Sequence, residues 1–347
     1  MKKVIHKIAE HVRNYSNSFE SSNMNSTTNN ASFMNQFDIL PDELIEKIFF
    51  SFEAQLPLSQ HNHVRLEDST FYFDYSLQQP ILRTVHNEIH NISLVCRRFY
   101  HIIHSSRFWE RKGRQDHILL PNQHFSVDFN AYEKLYVNNP FHPAYNLLET
   151  NKWTRSRGAH SQTEYVPIGS YRLYDEFNRL SSCRVTSHTL AKFFQRNVPL
   201  FYPGLRSANC ADLRPIIEFS ICVAARWDCG SRCELSLLFS DGHQWRYEKV
   251  FPQWNDQKWH RIIYRYGQYD QFPSSVTVCI AGCDTQLWAG FYGTKFAQTR
   301  LRLLLRTNEN GINEECTVVI EPRAEDEFNQ NPVPNPKKDD IPIDNEK

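Results

Sequence analysis

Two histidines four residues apart, His86 and His90, enclose Asn87-Glu88-Ile89. On a helix that spacing puts both imidazoles on one face, where they could ligate zinc. A zinc-protease helix also needs a glutamate directly after its first histidine, to act as base beside the metal-bound water. Here Glu88 comes one residue later, and the sequence offers no evident third ligand, so both histidines read as solvated loop or helix-surface residues. The 9 cysteines include Cys229 and Cys233, with Cys210 and Cys222 upstream, and form no Cys-x-x-Cys pair. Neither a Gly-rich phosphate loop nor a Gly-x-Ser-x-Gly elbow occurs. Glycoside hydrolysis would require two converging carboxylates, and no such pair is identifiable. The expectation is a protein with no catalytic residue, no metal and no cofactor.

One segment does suggest recognition. Leu287-Trp288-Ala289-Gly290-Phe291-Tyr292-Gly293 sets an indole among glycines. An aromatic face can stack on the C–H face of a sugar or anchor a protein contact, with polar neighbours fixing orientation. The bland alternative is that Trp288 only packs at a strand end.

These residues need elements to hold them. The chain has 347 residues, enough for two ordinary domains with tails, and 40% are hydrophobic, enough for real cores. Lys+Arg and Asp+Glu are both 39, so the basic excess usual in nucleic-acid binders is missing. No apolar run approaches the roughly 20 residues that span a bilayer. Lys2 and Lys3 are not followed by the apolar core of a secretory signal. The scattered, odd-numbered cysteines suit reduced thiols and a cytoplasmic setting.

Residues 1–36, rich in Asn and Ser from 13 onward, and the Pro-rich, charged stretch 322–347 are expected to be disordered. Between them the period changes. Pro41 suits a first helical turn, and Asp42 and Glu43 suit a helix N-terminus. Leu44, Ile45, Ile48, Phe49 and Phe52 then recur at helical spacing. A second helical stretch runs from Ile92 to Trp109, with Val95, Phe99 and Ile102 on one face. Residues 54–88 interrupt the pattern and read as an inserted loop, and 113–142 as a linker. Farther on, Ile217, Phe219, Ile221 and Val223 alternate with Glu218, Ser220 and Cys222. Leu235/Leu237/Phe239, Val276/Val278/Ile280 and Leu301/Leu303/Leu305 alternate likewise, with turn signals at Asp241-Gly242 and Pro273-Ser274. Helices followed by short alternating strands predict an α+β multidomain chain, a helical domain at 37–112 and an antiparallel β-sandwich at 143–321.

The stretch LPDELIEKIFFSF, with the later ISLVCRRFYHII and SSRFWER, resembles the F-box. By that resemblance the helical domain binds a Skp-family adaptor, and through it a cullin scaffold, in an SCF-type ubiquitin ligase. Leu40, Pro41, Leu44, Ile48, Leu94, Val95, Cys96 and Phe99 would be adaptor-facing or core positions. The later half resembles the F-box-associated domain, the substrate-binding sandwich of the glycoprotein-binding F-box proteins. Asn146-Leu147-Leu148, Arg226-Trp227-Asp228-Cys229-Gly230 with Cys233-Glu234-Leu235, Trp259 to Tyr266, and Trp288 to Gly293 carry that resemblance. It implies a jelly-roll-like, galactose-binding-domain-like sandwich that holds a protein or glycoprotein target through Trp288, Leu287 and Ala289. Glycan-binding relatives present a Tyr-Trp pair and a Lys at these three positions. Leu287 lacks that hydroxyl and Ala289 that donor, so the target expected here is a protein or peptide. A lectin-like module without ligase activity, and a carbohydrate-active enzyme on a jelly roll, are the rival readings.

Overall fold

The computed structural model describes residues 45–46, 49–50, 63–65, 71–73, 75–93, 97–121, 130–142, 144–175, 179–201, 213–306 and 316–320. These fall into two compact units that part between Ala144 and Tyr145.

The first unit is helical. Its described elements are a short antiparallel pair, β1 (His63–Arg65) and β2 (Phe71–Phe73), then α1 (Tyr75–Ser93), α2 (Arg97–Ile103), α3 (Ser106–Gln115) and α4 (Ala131–Asn138). Two expectations need correction. Residues 54–88 are not all loop, since α1 occupies 75–93 and buries Leu82, Val85 and Ile89. Their i, i+3, i+7 spacing gives a core-facing stripe. Pro80 lies inside the helix, where it removes a backbone donor and disguises the period, and Thr84 Oγ1 donates to the Pro80 carbonyl at 2.9 Å. Nor is 113–142 only a linker. α4 packs on α3 and α1: Trp109 and Tyr136 rings lie 5.1 Å apart, and Gln79 Nε2 donates to the Val137 carbonyl at 3.0 Å. Asn139 ends α4 in the left-handed region, its N–H bonded to the Leu135 carbonyl.

Between α4 and α3 lies a buried polar triad. Lys112 reaches the Asp116 carboxylate at 2.8 Å, and the Tyr136 hydroxyl donates to it at 2.6 Å. Burial, then the Asp116 charge, push the Tyr136 phenol far above its ordinary value. Nearby, His86 Nε2 meets Glu133 at 2.7 Å.

The second unit is a sandwich of two antiparallel sheets. Its strands are β3 (Thr154–Arg155), β4 (Ser161–Glu164), β5 (Cys183–Thr186), β6 (Ala191–Pro199), β7 (Ile216–Ala224), β8 (Ser231–Phe239), β9 (Gln244–Phe251), β10 (His260–Tyr266), β11 (Ser275–Asp284), β12 (Lys295–Leu304) and β13 (Cys316–Ile320). One sheet runs β13-β10-β7-β12-β5-β4 and the other β3-β6-β11-β8-β9. Alternation puts every second residue of β8 and β10 inward, as the period of two requires. The sheets meet through rings: Trp245 of β9 stacks on Tyr264 of β10 at 4.6 Å, and Phe239 of β8 lies 4.9 Å from Tyr266.

β7 is buried on both faces. Glu218, on the face that a half-exposed strand would turn to water, is held by Arg265 at 2.7 Å and Arg302 at 2.6 Å. On the same face Cys222 and Ala224 are covered by Tyr171, Leu173 and Trp259. Asn146 fastens the start of the unit to β12: its side chain accepts from Leu301 N at 2.9 Å and donates to the Thr299 carbonyl at 3.0 Å. A second buried ion pair joins Lys295 of β12 to Glu164 of β4.

Candidate functional site

Of the helical positions proposed from sequence, Leu40, Pro41, Leu44, Ile48, Leu94, Val95 and Cys96 lie outside the described residues. Phe99 is described, and it is core: its ring packs edge-on to Phe49 at 5.4 Å. Phe49 also meets Phe108 at 5.9 Å, and Phe50 stacks on Phe108 at 5.4 Å. Arg111 pairs with Glu46, and Gln115 Nε2 donates to the Phe50 carbonyl at 3.2 Å. The two helical stretches separated by 54–88 therefore pack together. His86 and His90 lie on α1 and are partly exposed, and their rings stack at 6.0 Å. No metal-holding group of His, Cys, Asp or Glu occurs among the described residues.

In the sandwich, one end gathers three loops: β7–β8 (225–230), β9–β10 (252–259) and β11–β12 (285–294). The register puts them together. His260 opposes Val223, Lys295 opposes Ala224, and Asp284 opposes Ser231. Trp288 stands on the β11–β12 loop with 40% of its surface exposed, and Leu287 beside it is 75% exposed. Ala289 is exposed too. Asp284 Oδ1 anchors the loop by accepting from Gln286 N at 3.0 Å and Leu287 N at 2.6 Å. Leu287 has φ 59° and Gly290 φ 122°, so the loop turns through the left-handed region twice. Gly293 closes it against Thr186, where a Cβ would sit 2.4 Å from the Thr186 hydroxyl oxygen.

A chain of ring contacts continues from Trp288 along this end. Its indole meets Tyr292 edge-on at 5.7 Å. The Arg226 guanidinium lies 4.7 Å above Tyr292 and is bound to Asp228 at 2.6 Å, so charge and ring plane are both fixed. Next to Arg226, Trp227 is tilted against Trp254 at 4.9 Å. The sequence motifs single out Trp288, Leu287 and Ala289, whereas the Trp227–Trp254 contact emerges only in the fold. Arg226 and Tyr292 stand in the motifs that carry the resemblance, but their pairing, a contact across 66 positions of chain, is not visible in either motif alone. The cysteines here are buried, not exposed nucleophiles: burial, then the Asp284 and Asp228 charges, push Cys229 up to about 12.

Comparisons with known proteins bear on both units. The F-box domain model matches residues 82–111, from within α1 through α2 into α3. F-box only protein 6 of Mus musculus is 25% identical over 235 residues, 64% of this chain and 78% of that protein. Its Rattus norvegicus counterpart is 23% identical over the same length, 64% of this chain and 81% of that protein. F-box only protein 44 of Mus musculus is 30% identical over 96 residues, 26% of this chain and 38% of that protein. The chain thus carries an F-box and is homologous to F-box only protein 6 over its C-terminal region. Solved structures include the CBM22-1 xylan-binding domain from Paenibacillus barcinonensis, at 14% identity over 47% of this chain and 93% of that one, with a TM-score of 0.27. TmCBM61, solved with β-1,4-galactotriose, is 12% identical over 47% of this chain and all (100%) of that one, with a TM-score of 0.30. Likenesses this distant carry no argument about ligand.

Proposed function

We infer that this chain is the substrate-recognition subunit of a cytoplasmic SCF-type ubiquitin ligase, whose F-box docks on a Skp-family adaptor and whose sandwich recruits a protein target. The observation that carries this is the order of parts: an F-box match at 82–111, followed by a sandwich with an exposed aromatic end. The chain does no chemistry in this reading. It raises the local concentration of target lysines around the charged conjugating enzyme, so that transfer becomes effectively intramolecular.

The target is a protein rather than a glycan because of what surrounds the indole. Leu287 and Ala289 flank Trp288 with apolar surface. A sugar bound there would leave hydroxyls with fewer partners, each lost hydrogen bond weakening binding by about 1 kcal/mol. An apolar or aromatic protein side chain loses nothing on the same surface, and exposed aromatics on loops are common anchors.

Adaptor docking is tested at Leu44, placed by sequence on the apolar helical face. Leu44→Asp would bury an unpaired carboxylate. The expected result in a pull-down is loss of adaptor binding with the sandwich still folded by circular dichroism. Adaptor binding at wild-type strength would count against the F-box reading.

A further inference from the structure

Trp254 is the most exposed of the tryptophans, at 65%, and its backbone sits at φ 61°. A bulky residue in the left-handed region is strained, and such strain persists where the surroundings impose it. Here they do. Asn255 N donates to the Trp227 carbonyl at 3.2 Å, and Asn255 Nδ2 to the Arg226 carbonyl at 2.8 Å. Gln253 Nε2 donates to the Asp228 carbonyl at 3.2 Å. The β9–β10 loop is stitched to the β7–β8 loop, which holds the Trp254 and Trp227 indoles at 4.9 Å and 46° to each other. The pair is an open, preorganised aromatic notch, distinct from the Trp288 position.

The last described strand ends on the same side of the sandwich as this notch. β13 runs antiparallel to β10, and Ile320 opposes Arg261. The chain therefore leaves β13 at the end of the sheet where β10 begins, beside the loop that carries Trp254. β9 and β13 are edge strands on the same side of the sandwich, joined by Trp245 Nε1 donating to Thr317 Oγ1 at 3.0 Å. Beyond Ile320 comes a Pro-rich sequence, with Asn331-Pro332-Val333-Pro334-Asn335-Pro336 starting 11 residues on. At the extended rise of about 3.1 Å per residue, the intervening chain reaches roughly 35 Å. Prolines restrict φ and lack N–H donors, so Pro-rich sequences in general lose little entropy on binding in the extended left-handed helix and are recognised by aromatic-lined surfaces.

We propose that the Trp227–Trp254 notch binds the chain's own Pro332–Pro336 segment in cis. The docked segment lies at the loop end of the sandwich and competes with the target there. The docking stands on the notch and the strand direction, while the competition rests on the recruiting role inferred above.

The test uses the full chain labelled with 5-fluorotryptophan, with the Trp254 fluorine resonance assigned from Trp254→Phe and the Trp288 resonance as a check on folding. Removing residues 322–347 is expected to move the Trp254 resonance by more than its linewidth and leave Trp288 in place. A synthetic peptide of residues 329–340 is expected to restore it, and a scrambled peptide is not. In the full chain, replacing Pro332, Pro334 and Pro336 together by Ala should reproduce the truncation. A Trp254 resonance at the same position with and without the tail would overturn the proposal, as would equal restoration by the scrambled peptide. A shift that vanishes on tenfold dilution would assign the occupant to a second copy and overturn docking in cis. Loss of target capture leaves these resonances untouched, so failure of the recruiting role and failure of the docking are read separately.

Discussion

Trp109 in the helical unit is shut in by His86, Phe108 and Tyr136, with ring centroids at 5.2, 5.2 and 5.1 Å. Trp254, at the loop end of the sandwich, leans on Trp227 and leaves 65% of itself to solvent. Both indoles lean on other rings but have opposite exposure. The helical unit brings aromatics from α1, α3 and α4 around one point, where each closes the others off. The sandwich end sets its aromatics on loops stitched by backbone hydrogen bonds, so they are rigid without being covered. Rigidity and burial are separable, and a recruiting surface needs the first without the second.

That difference can be broken from the helical side with the largest effect. Trp109→Ala removes a fully buried side chain and leaves a cavity, a loss of about 3–5 kcal/mol. Thermal unfolding should show the helical unit severely destabilised, whereas Trp254→Ala should change the melting temperature of the sandwich by no more than about a degree or two. Equal losses would mean that Trp254 is structural.

The buried triad offers the next largest effect. Asp116→Ala removes the 2.8 Å carboxylate partner of Lys112, whose side chain is fully buried. Breaking such a pair is expected to lower the stability of the helical unit by about 3–5 kcal/mol by denaturant titration, and Asp116→Ala with Lys112→Met should recover much of it. No recovery in the double variant would show that the triad acts through shape rather than charge.

Acid sharpens the comparison more gently. Burial pulls Glu218 upward, but Arg302 and Arg265 outweigh it and hold its carboxyl below the ordinary range. Burial likewise opposes Glu133, whose hydrogen bond to His86 and the charges of His86, His104 and His90 hold it low. A depressed folded value means that each carboxylate stabilises its unit fully above the unfolded value of about 4.3, and that this is lost as pH falls through the folded value. Melts from pH 6 to 3 should therefore steepen below about pH 4.3. Glu218→Gln should flatten that limb for the sandwich, and Glu133→Gln for the helical unit to a smaller degree, because Glu133 is the more exposed carboxylate. An unchanged limb in both variants would remove these pairs from the acid response.

Strand periodicity was readable where one face meets water: β8 and β10 alternate in sequence and in burial alike. β7 alternates in sequence yet is buried on both faces, because Glu218 is neutralised by arginines from neighbouring strands that no local window contains. α1 was hidden by Pro80 and by its weak apolar content, although Leu82, Val85 and Ile89 carry the helical spacing. α4 was hidden by its length of 8 residues, and its packing depends on Trp109 and Asp116 far upstream. At the loop end, the glycines around Trp288 signalled an exposed turn. The Arg226–Tyr292 and Trp227–Trp254 contacts arise from sheet register, which single residues do not announce.

In the proposed role, one unit docks on the adaptor while the aromatic end of the other holds a protein target. Affinity purification with mass spectrometry under proteasome inhibition, comparing wild type with Trp288→Ala, tests both at once. The account predicts that both proteins recover the Skp-family adaptor and cullin in equal amounts, and that Trp288→Ala, with an unchanged melting temperature, loses the target at least tenfold. Recovery of neither adaptor nor cullin by the wild type, or equal target recovery by the two proteins, would contradict it.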